Sequence, residues 1–115
     1  MSRPPVIALQ RDERRAVANL SLSQDAEFFR GHFPDTPVLP GVVQIDWVMR
    51  LAEECFHISP PTGQDFQVKF SRVIGPDMAL VLILEIDPAR QRLLFEYRVD
   101  DQVMSSGRVK IETPP

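Results

Sequence analysis

Residues 40–56 read PGVVQIDWVMRLAEECF, and this stretch decides the predicted architecture. Its apolar side chains recur at steps of three and four residues from Val42 to Phe56, which is the spacing of an amphipathic helix. Pro40 suits a first helical turn because its missing N–H would have no partner there. A second apolar strip leaves little of the circumference polar. We therefore expect a helix that is buried on several sides.

The segments on both sides of this helix alternate between apolar and polar residues, as strands do. Before it, residues 6–9 and 16–22 flank a charged turn and predict a β-hairpin. Residues 25–39 have no clean period and contain glycine and prolines, which predicts an ordered loop. After the helix, four strands are predicted over residues 66–70, 79–86, 93–99 and 103–111, the last with an irregularity at Ser105-Ser106-Gly107.

One helix cannot cover both faces of a sheet, so the economical arrangement is an antiparallel sheet wrapped around the helix. The length of 115 residues fits a single domain over residues 1–115, of the α+β class with one long central helix. Such a sheet keeps an exposed edge or face. This favours pairing with a second chain.

Composition excludes several classes of partner. The net charge is −3 and no basic stripe is present, which argues against nucleic acid. The lone Cys55 allows no intrachain disulfide. The longest apolar stretch, residues 78–84, is too short to span a bilayer, and the first residues carry no apolar signal core. We therefore expect a cytoplasmic protein with no membrane or nucleic-acid partner.

Three features of residues 28–47 carry potential chemistry. His32 lies in a proline-rich apolar loop and could act as a base near neutral pH. Gly41 opens the helix, where bare backbone N–H groups can stabilise negative charge on a carbonyl oxygen. Asp46 follows in the second turn and could act as an acid. Together these groups suit proton abstraction next to a thioester carbonyl.

The same segment closely resembles the 3-hydroxyacyl-acyl carrier protein dehydratases. Their shared pattern is a phenylalanine pair, a Gly-His-Phe-Pro element, a Pro-apolar-apolar-Pro-Gly element and an acidic residue in the helix. The matching residues are Phe28-Phe29, Gly31-His32-Phe33-Pro34, Pro37-Val38-Leu39-Pro40-Gly41 and Asp46. Residues 41–47 look most like the small dehydratases of aryl-polyene and polyketide clusters. The specific motif is confined to residues 28–47, whereas the order of elements matches over the whole chain.

The resemblance implies a hot-dog fold with a site at a dimer interface. His32 of one subunit would remove the α-proton, and Asp46 of the other would protonate the departing hydroxyl. Backbone N–H groups of Gly41 and Val42 would hold the thioester carbonyl. No metal and no other cofactor is implied. The implied substrate contacts are Gly41, Val42, Phe33 and Trp47.

The implied substrate is a 3-hydroxyacyl chain on the phosphopantetheine arm of an acyl carrier protein. The product would be a trans-2-enoyl thioester, in fatty acid or polyene and polyketide biosynthesis. Arg30 and Arg72 could meet an acidic carrier protein, although a solvated arginine is at least as common. A homodimer is expected, and a heterodimer with a related chain stays open. The acyl length and the choice between carrier protein and coenzyme A also stay open.

One departure from the family keeps other functions in view. Arg50 stands where the family commonly has glutamine, and an arginine one helical turn from Asp46 can pair with it and weaken it as an acid. A non-catalytic hot-dog subunit that binds a carrier protein or a partner chain is therefore an alternative, as is a hot-dog acyl thioesterase. Plain core packing is the commoner role for side chains such as Phe33 and Trp47.

Overall fold

The computed structural model describes residues 4–23, 38–58 and 66–111. Those residues form six strands and one helix. In chain order they are β1 Val6–Arg11, β2 Arg15–Ser21, α1 Gly41–Phe56, β3 Phe66–Phe70, β4 Ala79–Asp87, β5 Arg92–Val99 and β6 Gln102–Lys110. Each element predicted from periodicity is present, with its ends within two residues of the prediction. Most of the predicted loop over residues 25–39 lies outside the described residues.

The six strands make one antiparallel sheet in the order β1-β2-β4-β5-β6-β3. The hairpin predicted for β1–β2 is present, and β4–β5 and β5–β6 pair in the same antiparallel way. After α1 the chain enters β3 beside β6, at the opposite edge from β1. The described sheet therefore ends in β1 on one side and in β3 on the other.

The core lies between α1 and one face of the sheet. Alternate residues of β4, namely Leu80, Leu82 and Leu84, are almost completely buried, and so are Trp47 and Val48 of α1. Burial of a side chain of this size contributes about 1.5–3 kcal/mol relative to exposure. This arrangement confirms the predicted α+β class, with a sheet packed around one long helix.

Both ends of α1 are fixed by backbone geometry. The helix begins directly after Pro40, whose φ of −63° and ψ of 146° are extended. It ends at His57, which adopts a left-handed conformation with φ 56° and donates its N–H to the Glu53 carbonyl. Arg11 of β1 donates from Nη1 to the Glu54 carbonyl at 3.2 Å. That contact places a cation at the negative end of the helix dipole and ties the sheet edge to the helix.

The irregularity predicted at Ser105-Ser106-Gly107 was placed wrongly. Those three residues pair in register with β5, whereas the register shifts one residue earlier, so that Met104 is the extra residue of a β-bulge. Met104 and Ser105 are both buried, as expected where a bulge turns two successive side chains inward. The Met104 carbonyl accepts hydrogen bonds from the N–H groups of Ser71 and Arg72, at 3.0 and 2.9 Å. The bulge therefore anchors the chain as it leaves β3.

Glycine is required at position 107 for packing. A Cβ there would lie 2.7 Å from Cζ of Phe95 and would collide with the backbone oxygen of Gln67. Two residues of this segment thus have other roles. Gly107 accommodates the Phe95 ring, and Ser105 donates a hydrogen bond to Gln44 of α1.

Candidate active site

An open groove lies at the start of α1 and is called the α1 groove below. Residues 38–41 and Gln44 line one side, and residues 70–74 line the other, around a volume of about 470 Å³. A depression of about 520 Å³ on the outer face of the sheet contains none of the predicted site residues in its lining. The α1 groove is therefore the cavity that belongs with the predicted chemistry.

Backbone N–H donors at the helix start border this groove. The Pro40 carbonyl accepts the N–H groups of Val43 and Gln44, both at 3.1 Å. The N–H groups of Gly41 and Val42 come before these bonds and have no acceptor within the helix. The positive end of the helix dipole lies at the same place. Gly41 lines the groove and has no side chain of its own to stand between its backbone and a ligand.

The ring of Phe70 covers Gly41. A Cβ built on Gly41 would lie 2.7 Å from Cζ of Phe70, closer than real Cβ contacts. Phe70 is the last residue of β3 and remains 52% exposed. Gly41 is therefore needed for contact with this ring, which forms part of the groove wall.

Asp46 lies on a different side of α1 from Gly41. At roughly 100° per residue, the two positions are about 140° apart around the helix. The Asp46 side chain is 25% exposed, and its Oδ2 accepts a hydrogen bond from Nε of Arg50 at 2.7 Å. The ion pair expected from the sequence is thus present. Within one chain, Asp46 is not part of the lining of the α1 groove.

The other predicted substrate contacts differ in their surroundings. His32 and Phe33 lie outside the described residues. The Val42 side chain is 62% exposed, and Trp47 is completely buried in the core; neither lines the α1 groove. The structure thus brings Gly41 together with Gln44 and Phe70, and it does not bring Val42, Asp46 or Trp47 into the same cavity.

Sequence reasoning missed three polar residues beneath the helix start. Gln44 is buried in α1, and it is linked to Tyr97 of β5 and Ser105 of β6. Burial raises the pKa of the Tyr97 hydroxyl well above its usual range, and the negative charge of Asp46 raises that pKa further. The sequence signal that could have indicated these residues is Gln44, a glutamine on an otherwise apolar face of the predicted helix. Its partners, more than fifty residues away, were not visible in the local pattern.

In residues 4–23, 38–58 and 66–111, no group of three or more His, Cys, Asp or Glu side chains is placed to hold a metal ion. Over the same part of the chain, no helix has the length and apolar character needed to cross a membrane.

Comparison with known proteins places the chain in a family. Residues 8–108 match the family described as ApeI-like, ApeI dehydratase. Among solved structures, the dehydratase heterocomplex ApeI:P from Xenorhabdus doucetiae contains a similar chain, with a TM-score of 0.82 and 34% identity. That similarity covers 96% of this chain and 98% of the other. The predicted hot-dog fold is confirmed by this likeness.

Curated relatives are named 3-hydroxyacyl-acyl-carrier-protein dehydratase FabZ. The relative from Herpetosiphon aurantiacus is 31% identical over 91% of this chain and 85% of its own length. The relative from Caldanaerobacter subterraneus is 32% identical over 70% of this chain, and the match spans 62% of that protein. The chain thus covers less than two thirds of some of these relatives.

The fold and the helix-start groove define a hot-dog protein of the dehydratase type. Within that class, the chain belongs to the ApeI-like dehydratase family. The resemblance to 3-hydroxyacyl-acyl carrier protein dehydratases predicted from residues 28–47 is confirmed at the level of the family.

The contact between Gly41 and Phe70 predicts coupled effects on stability. With Phe70 in place, Gly41→Ala should cost about 1 kcal/mol in the free energy of unfolding, because the ring must move away. With Phe70→Ala, the same change should cost nothing or stabilise, since alanine is the better helix former. Urea unfolding of the two single variants and the double variant measures this coupling. An equal effect of Gly41→Ala in both backgrounds would contradict the contact.

Proposed function

We propose that this chain dehydrates 3-hydroxyacyl thioesters to trans-2-enoyl thioesters. The observation that carries the proposal is the α1 groove, where the backbone of Gly41 presents an N–H donor at the positive end of a helix. The elimination needs such a donor, because removal of a proton next to a carbonyl builds negative charge on its oxygen. Membership in a dehydratase family supports the same reaction.

The proposed mechanism assigns one step to each group. His32 takes the proton from the carbon next to the thioester carbonyl, and the electron pair moves toward the carbonyl carbon. The N–H groups of Gly41 and Val42 stabilise the resulting negative charge on oxygen. The electron pair then forms the double bond as the C–O bond of the 3-hydroxyl breaks. Asp46 gives its proton to the leaving oxygen, so that one water molecule and the enoyl thioester are released.

The geometry of α1 supports a site shared between two chains. Gly41 and Asp46 lie about 140° apart around the helix, and Asp46 does not line the groove of its own chain, which favours supply of the acid by a second chain. The edge strand β3 lies beside the groove, and exposed apolar side chains cluster there. They are Val42, Phe70 and Val73, each more than half exposed. Pairing across this edge would cover these side chains and bring the partner's Asp46 to the groove.

Two arrangements satisfy this geometry, a pair of identical chains and a pair of related chains. A homodimer is the proposal for this chain. The structural relative ApeI:P is named as a heterocomplex, which supports a mixed pair with a second chain as the other arrangement. In both arrangements, one chain supplies the α1 groove and the other supplies the acid.

We further propose that the acyl chain arrives on an acyl carrier protein in the cytoplasm. The names of the FabZ relatives specify substrates bound to such a carrier. Arg72 lines the α1 groove and is exposed, so its guanidinium is available to a phosphopantetheine phosphate or an acidic carrier surface. The proposed catalytic unit is one domain over residues 1–115, and its elimination chemistry uses no resident cofactor.

Loss of either proposed proton-transfer group should abolish most of the turnover. His32→Ala and Asp46→Asn should each lower kcat by about 10²–10⁴, the usual range for positioned acid–base groups. Enoyl absorbance is followed with carrier-bound and coenzyme A substrates. The matched controls are His57→Asn, which changes the other histidine, and Glu53→Gln, which removes a carboxylate from the same helix. Absence of turnover by a folded wild-type dimer on both substrates would overturn the proposed enzyme.

The non-catalytic alternative rests on the ion pair between Asp46 and Arg50. Both side chains are partly exposed, at 25% and 43%, and pairs of this kind contribute only about 0.5 kcal/mol or less. An interaction this weak does not by itself exclude a proton-donor role for Asp46. The observed geometry therefore favours the enzyme over the binding-only subunit.

Arg50→Gln should consequently raise kcat by no more than about twofold, because an interaction of about 0.5 kcal/mol corresponds to that factor. Steady-state rates of the variant and the wild type are measured on one substrate. The control is Arg90→Gln, which changes an exposed arginine in a turn. A rise of more than tenfold would show instead that the pair suppresses the wild-type chain.

A further inference from the structure

Three polar side chains are buried together beneath the start of α1. The Tyr97 hydroxyl donates to the Gln44 carbonyl at 2.6 Å, and the Ser105 hydroxyl donates to Oε1 of Gln44 at 2.7 Å. Nε2 of Gln44 donates to the Leu39 carbonyl at 3.1 Å. Because a carbonyl can only accept, this last bond fixes which end of the Gln44 amide faces Leu39. Gln44 therefore links the sheet to the segment that precedes the helix.

The register of the sheet brings the partners of Gln44 to one place. Tyr97 pairs with Ser105 across β5 and β6, and Ser105 pairs with Phe70 across β6 and β3. These three side chains thus form one cross-strand row. Two of them bind Gln44, and the third covers Gly41. A single row of the sheet therefore contacts the helix start at two neighbouring points.

The backbone before Gly41 is held from several directions. The Leu39 N–H donates to the Ile74 carbonyl at 2.7 Å, and the Leu39 carbonyl accepts from Gln44. The Pro40 carbonyl accepts two N–H groups of the first helical turn. In a trans peptide the carbonyl and the following N–H point in opposite directions. The Gly41 N–H accordingly points away from the helix, and Gly41 is one of the residues that border the groove.

We propose that Gln44 is a positioning residue that, with Tyr97 and Ser105, fixes the Pro40–Gly41 peptide so that the Gly41 N–H faces the α1 groove. The inference rests on the proposed function, in which that N–H binds the thioester carbonyl. Apolar side chains of similar size would fill the same space at lower desolvation cost. The polar groups are explained by the direction they impose on the backbone, since small displacements of a charge-stabilising donor are costly to catalysis.

The chemistry of Tyr97 agrees with a permanent donor role. Burial raises the pKa of its hydroxyl, and the charge of Asp46 acts in the same direction. The hydroxyl therefore stays protonated and keeps donating to the Gln44 carbonyl over the pH range in which an enzyme of this kind works. Its bond to the helix adds to the usual helical hydrogen bonds and holds the first turns against the sheet.

The test compares Gln44→Met, which keeps the volume but removes both side-chain hydrogen bonds, with the milder Ser105→Ala. Gln44→Met should lower kcat about tenfold to a hundredfold with KM changed by less than about threefold, because donor placement is lost and the groove is kept. Ser105→Ala should lower kcat in the wild-type background and have no further effect in Gln44→Met. The control is Val109→Ala, a buried apolar truncation on β6 away from this row.

Amide hydrogen exchange at Val43 and Gln44 gives a readout independent of turnover. Exchange should be faster in Gln44→Met than in the wild type. It should be unchanged in Val109→Ala, even if that control lowers the melting temperature at least as much as Gln44→Met does. Unchanged exchange, or faster exchange with unchanged kcat, would overturn the positioning role. If the wild type shows no turnover on any thioester, the proposed function fails by itself, and the exchange comparison alone then decides the role of Gln44.

Discussion

A helix packed inside a sheet must leave its first N–H groups facing something that accepts hydrogen bonds, and this constraint organises the site. Pro40 removes one donor, and its carbonyl accepts the N–H groups of Val43 and Gln44. Among the described residues, the N–H groups of Gly41 and Val42 have no acceptor within the helix, and Gly41 lies beside an open groove. The same feature that would weaken an ordinary buried helix end thus provides a binding point for a developing oxyanion.

The sheet supports this point through its register. The β-bulge at Met104 turns Ser105 inward and anchors the chain after Phe70, while Tyr97 lies next to Ser105 in the same row. Residues from three strands therefore meet the first turns of α1. The packing of the core therefore determines the geometry of the site. A shift of β6 would move both the Gln44 amide and the Phe70 ring over Gly41.

Much of this architecture could be predicted from the sequence, since helical and strand periods are local properties. The helix and the six strands were predicted in this way, and the motif of residues 28–47 indicated the family. The bulge lies one residue before the predicted irregularity, because its position is set by the pairing of β6 with β5, which the local pattern does not show. The links from Gln44 to Tyr97 and Ser105 were missed because register between distant strands leaves no local signal. The roles of His32 and Asp46 remain predictions.

The central claim is that each active site takes its base and carbonyl-binding backbone from one chain and its acid from another. Subunit mixing tests it most directly, using purified His32→Ala and Asp46→Asn dimers that are exchanged and then assayed for turnover. Each variant alone should be almost inactive, and the mixture should recover about a quarter of wild-type activity, because random pairing gives mixed dimers with one intact site each. No recovery in a mixture whose native mass spectrum contains mixed dimers would contradict the shared site.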